Sequence, residues 1–193
     1  MALLVKSSIS LLARTILPML CLLGMLAETR VVAQSRESDL KAAFVFNFAQ
    51  FVEWPSEAFA STNSPFVIGI LGNSNPFGKT LDELVAKEKT GGHPMEVRLY
   101  RSIEEVKQCH ILFITSSEAP RLREIFAWLD NRPILTVGDI DEFIPRGGMI
   151  RLYTASNKIR IRISLEAAKR AKLNVSSKLL RLADVVDKQS LDR

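Results

Sequence analysis

The sequence predicts an α/β fold: a single domain with a mixed, mostly parallel sheet flanked by helices and a C-terminal antiparallel hairpin. Three observations predict it. Short unbroken apolar runs at Phe66–Leu71, Cys109–Thr115 and Pro133–Val137 have the composition of strands buried on both faces. Segments of helical periodicity alternate with these runs, as in parallel sheets. Near the C-terminus two strand-like segments are separated by only a few residues, which requires an antiparallel pair.

The elements follow in order. Met1–Ala33 reads as a secretory signal. Lys6 and Arg14 supply positive charge, Thr15–Ala27 is an apolar run of 13 residues, and Val31-Val32-Ala33 offers small residues before a cleavage point near Ala33. A retained membrane anchor is the weaker reading, because a spanning helix needs about 20 apolar residues. Leu17-Pro18-Met19-Leu20 before Cys21 lacks the small residue expected ahead of a lipidated cysteine. The remaining domain is 34–193.

Ser38–Val52 is helical, with Phe44, Phe48 and Phe51 spaced by four and three and Leu40 and Ala43 on the same side. Ser38 or Asp39 caps it, and Trp54-Pro55 ends it, since a residue before proline is pushed out of the helical region. Phe66–Leu71 is the first buried strand. Pro76–Glu88 follows as a helix carrying Leu81, Leu84 and Val85, and Gly91-Gly92 makes a turn. Met95–Tyr100 alternates as a strand, and Ile103–Gln108 is a short helix. Cys109–Thr115 is the second buried strand, Ala119–Asp130 a helix, and Pro133–Val137 the third strand. Gly148–Tyr153 and Lys158–Ile163 form the hairpin. Ser164–Ala171 and Ser177–Val186 close the chain as helices.

Composition excludes several classes. The chain has 193 residues, 47% of them apolar and 24% charged, too apolar for a disordered or fibrous protein. With two Cys and two His, none clustered, neither a disulfide-built miniprotein nor a Cys/His zinc site is available. After signal removal only Cys109 remains, so no intramolecular disulfide can form; at the head of an apolar strand it reads as a core thiol. The net charge of +5 is segregated: Gln34–Pro145 holds 11 basic and 16 acidic residues, whereas Arg146–Arg193 holds 12 basic and 4 acidic.

The candidate chemistry is sparse. Gly72-Asn-Ser-Asn-Pro-Phe-Gly78-Lys79-Thr80 imitates a phosphate loop. It has five residues between its glycines instead of four, and Pro76 removes a backbone donor. It reads as a strand–turn–helix connection with Asn75 as cap. No Gly-x-Ser-x-Gly elbow occurs. His93 lies in a turn and His110 beside a buried strand. An exported hydrolase would need one of them beside Ser116 or Ser117. Ser116 and Asp139 stand at strand ends, where open α/β sheets bind ligands. No catalytic, cofactor or metal residue is assigned.

Two surfaces stand out. In Lys158–Ile163 the isoleucines alternate with Lys158, Arg160 and Arg162, so one face of the hairpin is basic and includes Arg151. That face is a solvated sheet surface, a site for an anionic partner or ligand, or a nucleic-acid surface. Export and the lack of stacking aromatics beyond Tyr153 argue against nucleic acid. The helix with Phe44 and Phe48, followed by Trp54, either packs into the core or turns a surplus apolar face to a partner or second subunit.

Several segments together resemble a known family. They are Lys41-Ala-Ala-Phe-Val-Phe-Asn-Phe-Ala49, Phe51-Val-Glu-Trp-Pro55, Phe66-Val-Ile-Gly-Ile-Leu-Gly72, Cys109-His-Ile-Leu-Phe-Ile114, Leu135-Thr-Val-Gly-Asp139, Gly147-Gly-Met-Ile150, Asn157-Lys-Ile-Arg160, Leu165-Glu-Ala-Ala-Lys-Arg170 and Ser176-Ser-Lys-Leu-Leu-Arg-Leu182. In order and spacing they resemble the YfiR family over residues 38–187. The resemblance implies a periplasmic regulator and not an enzyme. Such a protein represses an inner-membrane diguanylate cyclase by binding its periplasmic domain, and so controls cyclic di-GMP and biofilm formation. An outer-membrane lipoprotein sequesters the repressor, and the expected state is a homodimer. The founding member uses intramolecular disulfides, which the mature chain, with Cys109 alone, cannot form. The resemblance brings no cofactor and no catalytic residue. The contacts expected from the residues themselves are Phe44, Phe48, Trp54, Arg151, Arg160 and Arg162. The alternative is a small-ligand-binding protein using a crevice at the strand C-termini.

Overall fold

The structure, a computed structural model, describes residue 34 and residues 36–186. The chain divides after Ser38: the expected signal at 1–33 lies outside the described residues, and Asp39 onward forms one compact unit. No helix among the described residues is long and apolar enough to cross a membrane.

Helix α1 runs over 36–51. Its buried stripe is Ala42, Val45, Phe48 and Ala49, with Val52 just beyond. This stripe is rotated from the expected one: Leu40 is 54% exposed, while Phe44, Phe46 and Phe51 are half-buried at its margins. Two of the four helical core positions are alanines, which a periodicity read from large side chains passes over. The helix stops at Phe51, and β1 (Val52–Glu53) pairs antiparallel with β9 (Asn174–Val175).

The main sheet contains β2 (Phe66–Leu71), β3 (Lys89–Thr90), β4 (His93–Tyr100), β5 (Ile111–Ile114), β6 (Leu135–Gly138), β7 (Ile150–Ala155), β8 (Lys158–Ser164) and β10 (Ala183–Val186). Their order is β10-β8-β7-β6-β5-β2-β4-β3. The five strands from β4 to β7 are mutually parallel, as the apolar runs require. The β7–β8 hairpin is antiparallel, closed by Ser156 and Asn157 at φ 51° and 57°. Two adjacent residues at positive φ make the tight turn that suits the twist of paired strands.

Helices cover both faces. On one, α1, α2 (Thr80–Val85), α4 (Leu165–Arg170) and α5 (Ser177–Leu180) pack over Ile68, Ile70, Phe113, Val137, Leu152 and Ile161. On the other, α3 (Leu122–Trp128) and the segment after β6 pack over Leu71, Leu112 and Ile114. Ser164 and Ser176 cap α4 and α5, their hydroxyls accepting from the Ala167 and Leu179 amides at 3.3 Å.

Several elements differ from expectation. Helix α2 starts four residues late, because Asn75 folds the chain into a turn: its carbonyl oxygen accepts from the Phe77 amide and its amide donates to the Gly78 carbonyl. Ser116–Arg121 is a 3₁₀ segment containing Pro120, so α3 begins only at Leu122. Ile103–Glu105 is likewise 3₁₀. The expected helix Ser177–Val186 ends at Leu180, and Ala183–Val186 adds to β8 as a parallel strand. The open edge of β8 gives these residues backbone partners that an exposed helix would not, and Val185-Val186 suits a strand.

Candidate partner-binding face

Alternation in the hairpin sends Ile150, Leu152, Ile161 and Ile163 into the core and turns Arg151, Tyr153, Arg160 and Arg162 to the other face. The register places Arg151 opposite Arg162 and Tyr153 opposite Arg160, and β10 sets Asp184 beside Arg162. The three expected arginines therefore share one surface.

Tyr153 organises it. The Arg151 and Arg162 guanidinium carbons lie 5.3 and 5.0 Å from the centre of its ring. The Tyr153 hydroxyl donates to the Asp184 carboxylate, and that carboxylate holds the phenol above its ordinary pKa. Arg151 is 15% exposed and ion-paired with Asp141, while its Nε is buried without a hydrogen-bond partner. Arg160 and Arg162 make no ion pair among the described residues, so the positive charge of the face resides on them. A hollow of about 580 Å³ beside them is lined by Asp141, Glu142, Ile144, Arg151, Arg162 and Asp184.

The rim of that hollow is fixed by packing. Phe143, fully buried, lies against Gly138 and Gly148 and edge-on to Phe126 at 5.3 Å. A Cβ on Gly148 would stand 2.2 Å from the Phe143 ring, and one on Gly138 2.5 Å from it. Only glycine at both positions admits the ring, and the seated ring holds neighbouring Asp141 and Glu142 at the edge of the face.

The aromatic residues lie elsewhere, in the core on the opposite side of the sheet. Phe48 is 1% exposed and offers nothing to a partner in this conformation. Phe44 is half-buried. Trp54 donates its indole N–H to the His110 carbonyl at 3.1 Å and meets Phe66 edge-on at 4.9 Å. Core packing, the first of the two readings of this helix, accounts for Phe48.

At the strand C-termini the polar groups satisfy one another. Thr115 donates its hydroxyl to the Leu71 carbonyl at 3.0 Å, and the Ser117 hydroxyl accepts from the Asn73 amide at 3.3 Å. Asp139 is ion-paired with Lys41 of α1 at 2.8 Å. His110 precedes β5 whereas Ser116 and Ser117 follow it, so the strand separates the pair that nucleophilic catalysis would need. Cys109 is buried, which pushes its thiol up to about 12. Among the described residues no His, Cys, Asp and Glu cluster is arranged to hold a metal ion.

Asp141 and Asp184 are the parts of this surface that sequence reasoning missed. Asp184 was hidden by the expectation of a helix there. The strand character of Ala183–Val186 was the signal available.

A model of the YfiR/HmsC-like family matches residues 38–184. The chain belongs to the YfiR/HmsC-like family. The match takes in the sheet up to the first half of β10 and both sides of the hairpin. No curated protein matches the chain. Among solved structures, a conserved domain protein from Vibrio cholerae O1 biovar El Tor strain N16961 is 11% identical with a TM-score of 0.48, over 63% of this chain and 54% of that one. The ABC domain in complex with L-Trp from Streptococcus pneumoniae is 12% identical with a TM-score of 0.47, over 63% and 55%. The chain spans about half the length of these structures.

Proposed function

We propose that this member of the YfiR/HmsC-like family is an exported periplasmic regulator that binds the periplasmic domain of an inner-membrane signalling protein, a diguanylate cyclase, and inhibits it. The family match over residues 38–184 carries the reading; the signal-like segment before Gln34 supports the compartment. The basic face of β7 and β8 is the contact surface, with Arg160 and Arg162 meeting acidic groups of the partner and Tyr153 as the central anchor. Control follows from unequal affinity: a regulator that binds the inactive conformation more tightly shifts the population toward it. A swing from about 1:99 to 99:1 needs roughly 5.5 kcal/mol of differential binding.

Deleting the chain in its host and measuring cyclic di-GMP tests this reading. Derepression of the cyclase raises the messenger, and the wild-type chain restores it while an unexported chain without its first 33 residues does not. An unchanged level of the messenger, together with failure of the cyclase to co-purify, contradicts it.

A second reading, a small-ligand-binding protein, is favoured by the 580 Å³ hollow beside Arg151 and Arg162. A small anion that raises the melting temperature in the absence of any protein partner would support it.

A further inference from the structure

The segment from Trp54 to Ser64 connects β1 to β2 and is held to the sheet by rings. His110 lies between Phe59 and Phe66, each 4.6 Å away and close to parallel. Phe59 is stacked in turn on His93, at 4.1 Å and 14°. Phe59 is thus sandwiched between two imidazoles. Trp54 fixes one end of the segment through the His110 carbonyl, and His93 Nδ1 meets the Ser64 carbonyl at 2.7 Å at the other.

His110 is 2% exposed. Its Nδ1 accepts from the Val67 amide at 3.0 Å, so the proton of the neutral ring is on Nε2, and Nε2 has no hydrogen-bond partner. Backbone groups at Ala58 and Val67 favour a cation there, but burial outweighs them. From β2 it meets the Phe66 ring and the Val67 amide. His93 of β4, across the Phe59 ring, disfavours a positive charge on it. On the connecting segment the only acid is Glu57, which is exposed and paired with Lys172 at 3.6 Å. The neighbouring Cys109 thiol donates to the Ile111 carbonyl at 3.0 Å.

We propose that residues 54–64 form an acid-released clasp, closed while His110 is neutral between Phe59 and Phe66 and opened when His110 takes a proton. Protonation places hydrogen on Nδ1, removes the acceptor for the Val67 amide and leaves a buried cation; release of the segment hydrates that cation. Burial first, and the charge of His93 second, hold His110 down to about 4, with backbone groups at Ala58 and Val67 opposing the shift without cancelling it.

The clasp is joined to the far side of the fold. The same segment continues back through β1 to β9, the Ser176 amide donates to the Phe51 carbonyl at 2.9 Å, and Glu57 reaches Lys172 after α4. Opening therefore loosens the α4–β9–α5 region that leads into β10 and Asp184. This inference is independent of the partner assigned above.

Hydrogen exchange of the folded protein, read by NMR at the amides of 56–66 and the Trp54 indole and corrected for intrinsic rates, tests it. With a ring that titrates near 4 when closed and near the ordinary 6.5 when open, the opening constant rises roughly 60-fold from pH 7 to pH 4.5. His110→Asn keeps an acceptor for Val67 without a titrating ring and abolishes the rise, whereas His93→Gln retains most of it. Equal protection at both pH values in the wild type, or an undiminished rise in folded His110→Asn, overturns the proposal. If His110→Asn does not fold, the wild-type titration decides. Loss of the Phe59 and Trp54 ring-current shifts in step with a depressed His110 titration supports the clasp. A ring that titrates near 6.5 with those shifts unmoved overturns it.

Discussion

Arg151 and Arg162 stand directly opposite each other across the β7–β8 hairpin, and both guanidinium groups lie within 5.3 Å of the Tyr153 ring centre. Two like charges in opposed positions ordinarily repel. Here Asp141 takes up Arg151, and the ring of Tyr153, hydrogen-bonded to Asp184, offers a π face to both guanidinium groups. The arrangement leaves Arg162, with Arg160 beside it, directed outward as the charged part of the face.

Replacing that charge costs the fold little. Arg160 is exposed and Arg162 half-buried, and neither makes an ion pair among the described residues. The double variant Arg160→Glu, Arg162→Glu should hold its unfolding free energy within about 1 kcal/mol of wild type in urea titration. A loss of several kcal/mol would make these arginines structural.

Phe48 belongs to the core. At 1% exposure among Val45, Ile68 and Leu152 of the same apolar cluster, its truncation leaves a cavity the surrounding sheet cannot close. Phe48→Ala should cost about 3–5 kcal/mol by denaturant unfolding. A cost below about 1 kcal/mol would place Phe48 on a surface.

Gly148 has no room for a methyl group. Its Cβ would meet the Phe143 ring at 2.2 Å and the Phe143 carbonyl oxygen at 2.8 Å. Gly148→Ala should destabilise by about 1–3 kcal/mol. It should also move Asp141 away from Arg151, seen as a changed Arg151 side-chain resonance. An unshifted resonance would separate the Phe143 packing from the rim of the hollow.

Stability should fall in mild acid because of His110. Its folded value is lowered from 6.5 to about 4, so the unfolded chain binds the proton first. The contribution is complete above pH 6.5 and is lost as pH falls toward 4, amounting to about 3 kcal/mol. Between pH 7 and pH 4.5 about 2 kcal/mol of it is lost, and urea titrations should show that loss in wild type beyond whatever His110→Asn shows. Identical pH dependence in both proteins would remove His110 as its source.

Cys109 should resist alkylation while the protein is folded. Burial raises its thiol to about 12, so at pH 8 the thiolate fraction is on the order of a thousandfold below that of an exposed cysteine. Peptide mapping after iodoacetamide treatment should find Cys109 modified only in urea. Ready modification in buffer would mean that β5 opens.

The sequence made the central sheet legible because its strands are buried on both faces and read as unbroken apolar runs: Phe66–Leu71 matches β2 residue for residue. The basic face was legible from strict alternation of isoleucine and arginine. What it hid depended on long-range partners. β1 and β9 are two residues each and exist only by pairing with one another. β10 is a strand because β8 offers it an edge. The stack of Phe59, His93 and His110 joins residues about 17 to 51 positions apart along the chain, a proximity that no local pattern records.

The central claim is that the hairpin face binds a membrane sensor, and isothermal titration tests it most directly. The purified protein, in wild-type form and as Arg160→Glu, Arg162→Glu, is titrated into the isolated periplasmic domain of the diguanylate cyclase proposed as its partner. The account predicts a micromolar or tighter wild-type complex and at least a tenfold weaker one for the folded double variant. No binding at micromolar concentration, or equal affinity for the two forms, would contradict it.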